Sequence, residues 1–205
     1  MALNLEKGAL DSIEKLVSEL QPKFAAVPKG GVRFASRENW HLTVSFLGYQ
    51  EENDIPRIID AMRRTAKNFG EQEIVFRKVL YGPARLASES VAGRPPHRTP
   101  RMIWLLADSD NSRELARLKT TLEDNLEKSG VGFKREIRPF TGHLTLARFM
   151  SENALAQPLP PLARDINIES VSRTLDLMES ELKRGGAEYA VLQKTPLDLS
   201  LNLQT

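Results

Sequence analysis

The sequence predicts an α+β fold of two pseudo-symmetric lobes, whose mostly antiparallel sheets face each other across a central cleft with helices on the outside. Strand-type and amphipathic helical segments alternate along the 205 residues, and no linker or low-complexity tract separates them. The tetrad HLTV at 41–44 recurs as HLTL at 143–146, half a chain later. We therefore expect residues 1–205 to form one bilobal domain, in which each lobe contributes one tetrad to the cleft.

The first quarter of the chain predicts a short strand, a helix and a second strand. Residues 2–5 have the composition of a strand end. Apolar side chains at spacings of three and four then predict a helix that Pro22 closes; they belong to Leu10, Ile13, Leu16, Val17 and Leu20. Proline and glycine at 27–31 predict a loop. The β-type run at 41–48 ends on Gly48.

Two further helices are each followed by a glycine. The first spans about 54–68 before Gly70, and its inner face is formed by Ile55, Ile58, Ile59 and Met62. The second spans about 112–128 before Gly130, and its apolar stripe is formed by Leu115, Leu118, Leu122 and Leu126. Both helices therefore have one face that must pack against a sheet or another helix.

The remaining segments are of strand type. Strands are predicted at 73–81, 101–107, 142–149, 168–178 and 189–197. The last two form a hairpin across 183–186, where glycine provides the turn. Between the first two lies 93–101, a basic loop rich in proline that also holds His97.

Composition excludes several classes of function. The chain has no cysteine, so disulfides, thiolate metal sites and cysteine nucleophiles are excluded. A net charge of +2 permits an anionic partner only through a local contact. No apolar run approaches the ~20 residues of a membrane span, and the first residues do not resemble a signal peptide. We expect a cytoplasmic monomer that makes no membrane contact.

The repeated tetrads carry the chemistry. Residues two apart on a strand share a face, so His41 lies beside Thr43 and His143 beside Thr145. The alternate residues face the core: Leu42, Val44, Phe46, Leu144 and Leu146. Two imidazoles can act as acid and base near neutral pH, and threonine hydroxyls can hold phosphoryl oxygens. This set suits the opening of a cyclic phosphodiester, with no metal ion or other cofactor required.

Other interpretations remain open at this point. A cleft of this kind also suits a non-catalytic RNA-end binding module, or a phosphodiesterase for small cyclic nucleotides. A zinc site is disfavoured because the two histidines lack close ligand spacing. In the basic loop, Arg94, Arg98 and Arg101 either follow an RNA backbone or are simply solvated. Trp40 is two residues before Leu42 and therefore faces the same side of the strand, which favours core packing over base stacking.

Three stretches carry a resemblance to a known family. Residues 37–48 read RENWHLTVSFLG, residues 140–148 read FTGHLTLAR, and residues 175–180 read LDLMES before Tyr189. The chain thereby resembles the two-histidine phosphoesterase superfamily, and within it the bacterial and archaeal RNA 2′,3′-cyclic phosphodiesterases, once called 2′-5′ RNA ligases. The resemblance covers nearly the whole chain, and the paired His-x-Thr motifs make it specific.

The resemblance implies an activity and a set of site residues. It implies hydrolysis of 2′,3′-cyclic phosphate RNA ends, such as those of tRNA fragments, to a 2′-phosphate, together with reversible 2′-5′ joining in some members. It further implies His41 as the acid, His143 as the base, and phosphate contacts from Thr43, Thr145 and Arg148. The order of the two histidines is not fixed by the sequence.

Two features depart from the family pattern. Members begin with a longer strand before the first helix, so we expect either a misassigned start or a sheet that lacks part of an edge. Gly142 stands where members carry proline, which predicts a looser His143.

Arg148 matches the family motif but poses a geometric problem. It is five residues after His143, and an ideal strand would direct it away from the cleft. Either a β-bulge or the end of the strand would turn it back, and otherwise Arg148 is an ordinary surface residue.

Overall fold

The structure, a computed structural model, describes residues 1–27, 31–86, 98–150, 159–162, 164–183 and 186–198. These residues hold nine strands and three α-helices. The strands are β1 (Ala2–Asn4), β2 (Val32–Phe34), β3 (His41–Thr43), β4 (Gln72–Leu86), β5 (Arg98–Ala107), β6 (His143–Phe149), β7 (Arg164–Ser172), β8 (Thr174–Lys183) and β9 (Gly186–Pro196). The helices are α1 (Lys7–Leu20), α2 (Ile55–Ala66) and α3 (Ser109–Lys128).

The strands form two sheets, and each sheet contains one His-x-Thr strand. The first has the order β3-β1-β8-β9 and the second has the order β2-β6-β5-β4-β7. Every pairing between neighbouring strands is antiparallel. The α+β class with two antiparallel sheets is therefore confirmed. The halves of the chain interleave, because β2 and β4 join the second sheet and β8 and β9 return to the first.

Strand β1 lies inside its sheet. It pairs with β3 on one side, where Asn4 is opposite His41, and with β8 on the other, where Ala2 is opposite Asp176. The expected strand at 2–5 is thus present, and it is a central strand of its sheet and not an edge strand. Because β1 is central, it sets the register of the first His-x-Thr strand.

Each helix buries the predicted stripe. Ile13, Leu16, Val17 and Leu20 of α1 are buried, as are Ile58 and Met62 of α2 and all four leucines of the α3 stripe. Helix α1 packs on β7, α2 on β8 and β9, and α3 on β4 and α2. Gly130 ends α3 with φ of 71°, a conformation that glycine adopts without strain. None of these helices, within the described residues, has the length and hydropathy of a membrane span.

The strand that begins at His41 is shorter than predicted. It ends at Thr43, because the backbone N–H groups of both Val44 and Ser45 donate to the Met1 carbonyl, at 2.9 and 3.3 Å. Two consecutive residues then turn inward and the alternation shifts by one. Phe46 is consequently 75% exposed, so its expected place in the core is wrong. Leu42 and Val44 are buried as predicted.

Other boundaries also differ from the prediction. The single strand predicted at 168–178 is two strands in different sheets, separated at Arg173. Residues 98–101 belong to β5 rather than to a loop, while Arg94 and His97 lie outside the described residues. Strand β2 was not predicted, because three residues around an arginine give no periodic signal. The hairpin of β8 and β9 is confirmed, with Lys183 opposite Gly186.

Candidate active site

A cleft of about 360 Å³ lies between the two sheets. Its walls come from β3 and β9 of the first sheet and from β2 and β6 of the second. All five residues expected in the site line it: His41, Thr43, His143, Thr145 and Arg148. The fold therefore brings together two tetrads that are half a chain apart in sequence.

Strand β3 presents His41 and Thr43 to the cleft while Leu42 between them is fully buried. On β6, His143 and Thr145 face the cleft, and Leu144 is buried. The period-two pattern of the sequence thus placed both histidines and both threonines correctly.

His143 is fixed through its Nδ1 atom. Nδ1 lies 2.9 Å from the Thr141 carbonyl oxygen, which can only accept, so Nδ1 carries the proton and Nε2 has a free lone pair. His41 Nδ1 is buried without a hydrogen bond of good geometry, although the Asn39 backbone lies near enough to raise the pKa of the ring. Asn39 precedes His41 by two residues, as Thr141 precedes His143, so the two imidazoles differ in the geometry of this contact and not in its kind.

Gly142 holds the start of β6 in place. Its N–H donates to Ser112 Oγ at 3.2 Å, and its carbonyl accepts from the Ala107 N–H at 2.8 Å. A Cβ at this position would lie 3.0 Å from Ala107 Cβ and 3.3 Å from Leu115 Cδ1. A proline could not make the first of these bonds and would crowd the site. The looser His143 expected from the missing proline is thus opposed by two hydrogen bonds at Gly142.

Burial lowers the pKa of both histidines. The pKa of His41 falls from 6.5 to about 4, first because the ring is desolvated and next because the charged Met1 amino group is near; the Asn39 backbone opposes this, and Arg148 is a smaller cause. Desolvation and the charge of Arg148 also lower the pKa of His143, where the Thr141 carbonyl partly opposes them. Both imidazoles are therefore mostly neutral in the empty cleft at pH 7.

A β-bulge brings Arg148 to the cleft. In the pairing of β5 with β6, Trp104 is opposite Thr145 and Ile103 is opposite Ala147, so Leu146 is an extra residue. Both Leu146 and Ala147 are buried, and the alternation resumes one residue later. Arg148 thereby shares the face of Thr145 and lines the cleft, so the bulge is the arrangement that occurs, rather than a turn at the strand end.

Comparison with known proteins assigns the family. Residues 8–92 match the family model described as LigT like Phosphoesterase. A relative from Thermus thermophilus, named RNA 2′,3′-cyclic phosphodiesterase, is 31% identical over 158 residues, which cover 77% of this chain and 71% of that protein. This chain belongs to the LigT-like phosphoesterases.

Further members of the LigT-like phosphoesterases agree. A relative from Archaeoglobus fulgidus with the same name is 29% identical over 143 residues, covering 70% of this chain and 69% of that protein. The crystal structure of a protein from Thermus thermophilus superposes with a TM-score of 0.71 at 25% identity, covering 96% of this chain and 95% of that one. E. coli LigT complexed with 3′-AMP has a TM-score of 0.67 at 22% identity over 96% and 95% of the chains, and so shares the fold.

In this LigT-like phosphoesterase each histidine also has an aromatic neighbour that the sequence did not reveal as part of the site. The Trp104 ring lies 4.1 Å from the His143 ring, tilted by 34°, and the Tyr189 ring meets His41 edge-on at 4.6 Å. Trp104 lies on the strand next to β6, and Tyr189 belongs to β9, so only strand order reveals these contacts. Both rings restrict the orientation of an imidazole.

The residues that line the cleft do not resemble a metal centre. Within the described part of the chain, no three side chains of histidine, aspartate, glutamate or cysteine are grouped as metal ligands. The polar side-chain groups that line the cleft are instead imidazoles, hydroxyls, the carboxamide of Asn39 and the guanidinium groups of Arg33 and Arg148. Such a set favours an anion as the ligand.

Proposed function

We infer that this LigT-like phosphoesterase hydrolyses 2′,3′-cyclic phosphates at RNA ends to 2′-phosphates. The observation that carries this proposal is the meeting of His41 and His143 in one cleft, each with a threonine on the same strand face. The curated relatives are named for the same activity. The enzyme would act as a cytoplasmic monomer with a single bilobal domain, on ends such as those of tRNA fragments.

The reaction requires a base that accepts a proton from water and an acid that donates a proton to the leaving oxygen. Water attacks phosphorus, a new P–O bond forms, and the bond from phosphorus to the 3′-oxygen breaks. The base accepts the proton of the water, and the acid protonates the 3′-oxygen, which leaves the phosphate on the 2′-oxygen. No step in this sequence calls for a metal ion. A 5′-hydroxyl that replaces water would give a 2′-5′ linkage in the same way, which is the basis of reversible ligation.

We assign His143 as the base and His41 as the acid, which is the order that the family resemblance implies. The hydrogen bond from Nδ1 of His143 to the Thr141 carbonyl leaves Nε2 as an acceptor, as a base requires. His41 must then be protonated when substrate is bound. The negative phosphate would raise the pKa of His41 from its value of about 4 in the empty cleft.

The pH dependence follows from these pKa directions. Catalysis needs one neutral and one protonated imidazole, so activity is lost as pH falls through the lower pKa, about 4, and as pH rises through the higher pKa, which is below 6.5. We therefore expect kcat/KM to peak on the acid side of pH 6.5. The profile of kcat should lie at higher pH, because bound phosphate raises both pKa values. Steady-state rates from pH 3.5 to 9 test this, and a kcat/KM maximum above pH 8 would contradict it.

Arg148 is proposed to bind the phosphate together with Thr43 and Thr145. Arg148→Ala should lower kcat/KM roughly 10- to 100-fold, as expected for loss of a hydrogen bond to a charged group. Its charge also lowers the pKa of both histidines, so the pH profile of the variant should shift upward. Arg117→Ala, an exposed residue of α3, is the matched control. If Arg148→Ala has the pH profile and the KM of the wild type, Arg148 does not bind the phosphate.

Gly82 makes room for the indole that orients His143. A Cβ at Gly82 would lie 2.1 Å from the Trp104 ring, so Gly82→Ala must displace the indole. We expect kcat to fall roughly 10- to 100-fold, because a small misplacement of a catalytic group has effects of this size. Gly132→Ala, where a Cβ meets nothing within 4 Å, should leave kcat unchanged. Equal rates for the two variants would show that Trp104 does not orient His143.

Turnover of a defined substrate tests the proposed function. Purified protein is incubated in EDTA with an RNA hexamer that ends in a 2′,3′-cyclic phosphate, and products are separated by chromatography. The proposal predicts conversion to the 2′-phosphate. RNA that binds without being converted would indicate a binding module instead. Conversion of cyclic mononucleotides alone would indicate an enzyme for small nucleotides.

A further inference from the structure

A second cavity opens at the end of the five-stranded sheet. Its volume is about 750 Å³, and it lies where β5 runs into α3 and where the chain enters β6. We call it the basic groove and define it by Arg77, Lys78, Leu106, Arg113 and Phe140. Among the residues that the structure describes, none lines both the basic groove and the active-site cleft.

Strand pairing links the basic groove to the active site. Leu106 is opposite His143 on one side and opposite Lys78 on the other, so these three side chains cross one face of the sheet in a row. Thr141 also lines the groove, and its carbonyl is the partner of His143 Nδ1. A polymer whose end reaches His143 would therefore have only Leu106 to cross before it meets Lys78.

The charge of the basic groove is positive. Among the described residues, three cationic side chains line it, against one carboxylate, that of Asp108. Arg113 also forms an ion pair with Asp110, but both side chains are exposed, and such a pair contributes little in water. Asp108 accepts hydrogen bonds from the first-turn N–H groups of α3, and Arg77 Nε lies 3.9 Å from it. Lys78 forms no ion pair with any described residue, including Asp165, its register partner on β7. An anionic chain is the ligand that this charge favours.

The floor of the basic groove is apolar. Leu106 and Phe140 lie within it, both partly exposed. Cations along a backbone path combined with an aromatic ring for stacking are the usual means of holding single-stranded nucleic acid. The cleft alone, at about 360 Å³, is near the lower limit of ligand pockets, roughly 300 Å³. It suits a terminal nucleotide rather than a longer chain.

We propose that the basic groove binds the nucleotides that precede the cyclic phosphate, so that this protein prefers an oligonucleotide end to a cyclic mononucleotide. The inference rests on the proposed function and specifies its substrate. Lys78 and Arg113 contact backbone phosphates, and Phe140 stacks on a base. The groove acts on substrate binding and takes no part in the chemical step.

The test compares two substrates and two double variants. The substrates are a 2′,3′-cyclic mononucleotide and an RNA hexamer with the same terminal base and a 2′,3′-cyclic phosphate. Lys78→Glu/Arg113→Glu should lower kcat/KM for the hexamer at least about tenfold and leave the mononucleotide within about twofold, since only the longer substrate reaches the groove. The slope of log kcat/KM against log salt should also become shallower, by roughly 0.7 for each lost phosphate contact.

Lys15→Glu/Arg57→Glu is the control for net charge, because both residues are exposed on helices and line neither cavity. Mononucleotide turnover shows that each variant is folded. If Lys78→Glu/Arg113→Glu has the same ratio of hexamer to mononucleotide kcat/KM as the wild type, the groove does not bind the longer substrate, while the proposed function stands. If the wild type converts neither substrate, the proposed function falls. In that case, fluorescence anisotropy of a labelled hexamer tests whether the basic groove binds RNA. Equal affinities of the wild type and of Lys78→Glu/Arg113→Glu for the hexamer would overturn the proposal.

Discussion

Replacing either His41 or His143 with alanine is expected to lower kcat for a cyclic phosphate end by about 10²- to 10⁴-fold, the usual contribution of a positioned acid or base. The free energy of unfolding should change by less than about 1 kcal/mol, because both side chains border a cleft and neither fills the core. Because the two groups act in one step, the double variant should be little worse than the poorer single variant.

A glutamine variant distinguishes the loss of proton transfer from the loss of side-chain volume. His143→Gln keeps a polar side chain of similar reach but cannot titrate near neutral pH, so it should lose as much kcat as His143→Ala while its KM stays close to that of the wild type. Rapid-mix assays of kcat and KM measure both effects. If either alanine variant keeps most of the wild-type kcat, a two-histidine mechanism is excluded.

Glu123→Ala is expected to destabilise the fold by roughly 3–5 kcal/mol, the effect of leaving a buried charge without its partner. Glu123 is only 4% exposed on α3, and its Oε1 accepts from Lys119 Nζ at 2.6 Å and from Ser45 Oγ at 2.9 Å. Ser45 follows the first His-x-Thr strand, so this carboxylate joins α3 to that strand. Urea unfolding monitored by circular dichroism measures the change.

A second variant distinguishes the buried charge from the lost packing. Lys119→Met/Glu123→Leu removes both charges and should recover most of the stability, because a buried ion pair can often be replaced by apolar residues without loss. Glu114→Ala breaks an exposed pair with Arg117 on the same helix and should change stability by less than about 1 kcal/mol. An equal effect of Glu123→Ala and Glu114→Ala would show that the Lys119–Glu123 pair is not structurally important.

Periodic signals predicted most of the fold. The helices followed from spacings of three and four, and nearly all their predicted apolar residues proved buried or partly buried. Errors arose where local hydrogen bonds override alternation, as at Val44 and Ser45, which share the Met1 carbonyl and expose Phe46. Strand β2 was missed because three residues are too few to show a period.

The site was predictable as far as its repeated motif. Alternation alone placed the histidines and threonines. The odd offset of Arg148 left two ways to reach the cleft, a bulge or the strand end, and the structure shows a bulge at Leu146. The contacts of Trp104 with His143 and of Tyr189 with His41 depend on which strands are neighbours. Sequence spacing carries no information on that order. For the same reason, the path from His143 across Leu106 to Lys78 was invisible before the sheet was known.

Phosphorus NMR of one reaction is the decisive measurement of two-histidine hydrolysis. Wild type, His41→Ala and His143→Ala are each incubated in EDTA with an RNA that ends in a 2′,3′-cyclic phosphate, and the phosphate signal is followed over time. We expect the wild type to convert the cyclic signal into that of a 2′-phosphate monoester, while both variants leave it essentially unchanged. A 3′-phosphate product, or conversion by either variant at the wild-type rate, would contradict it.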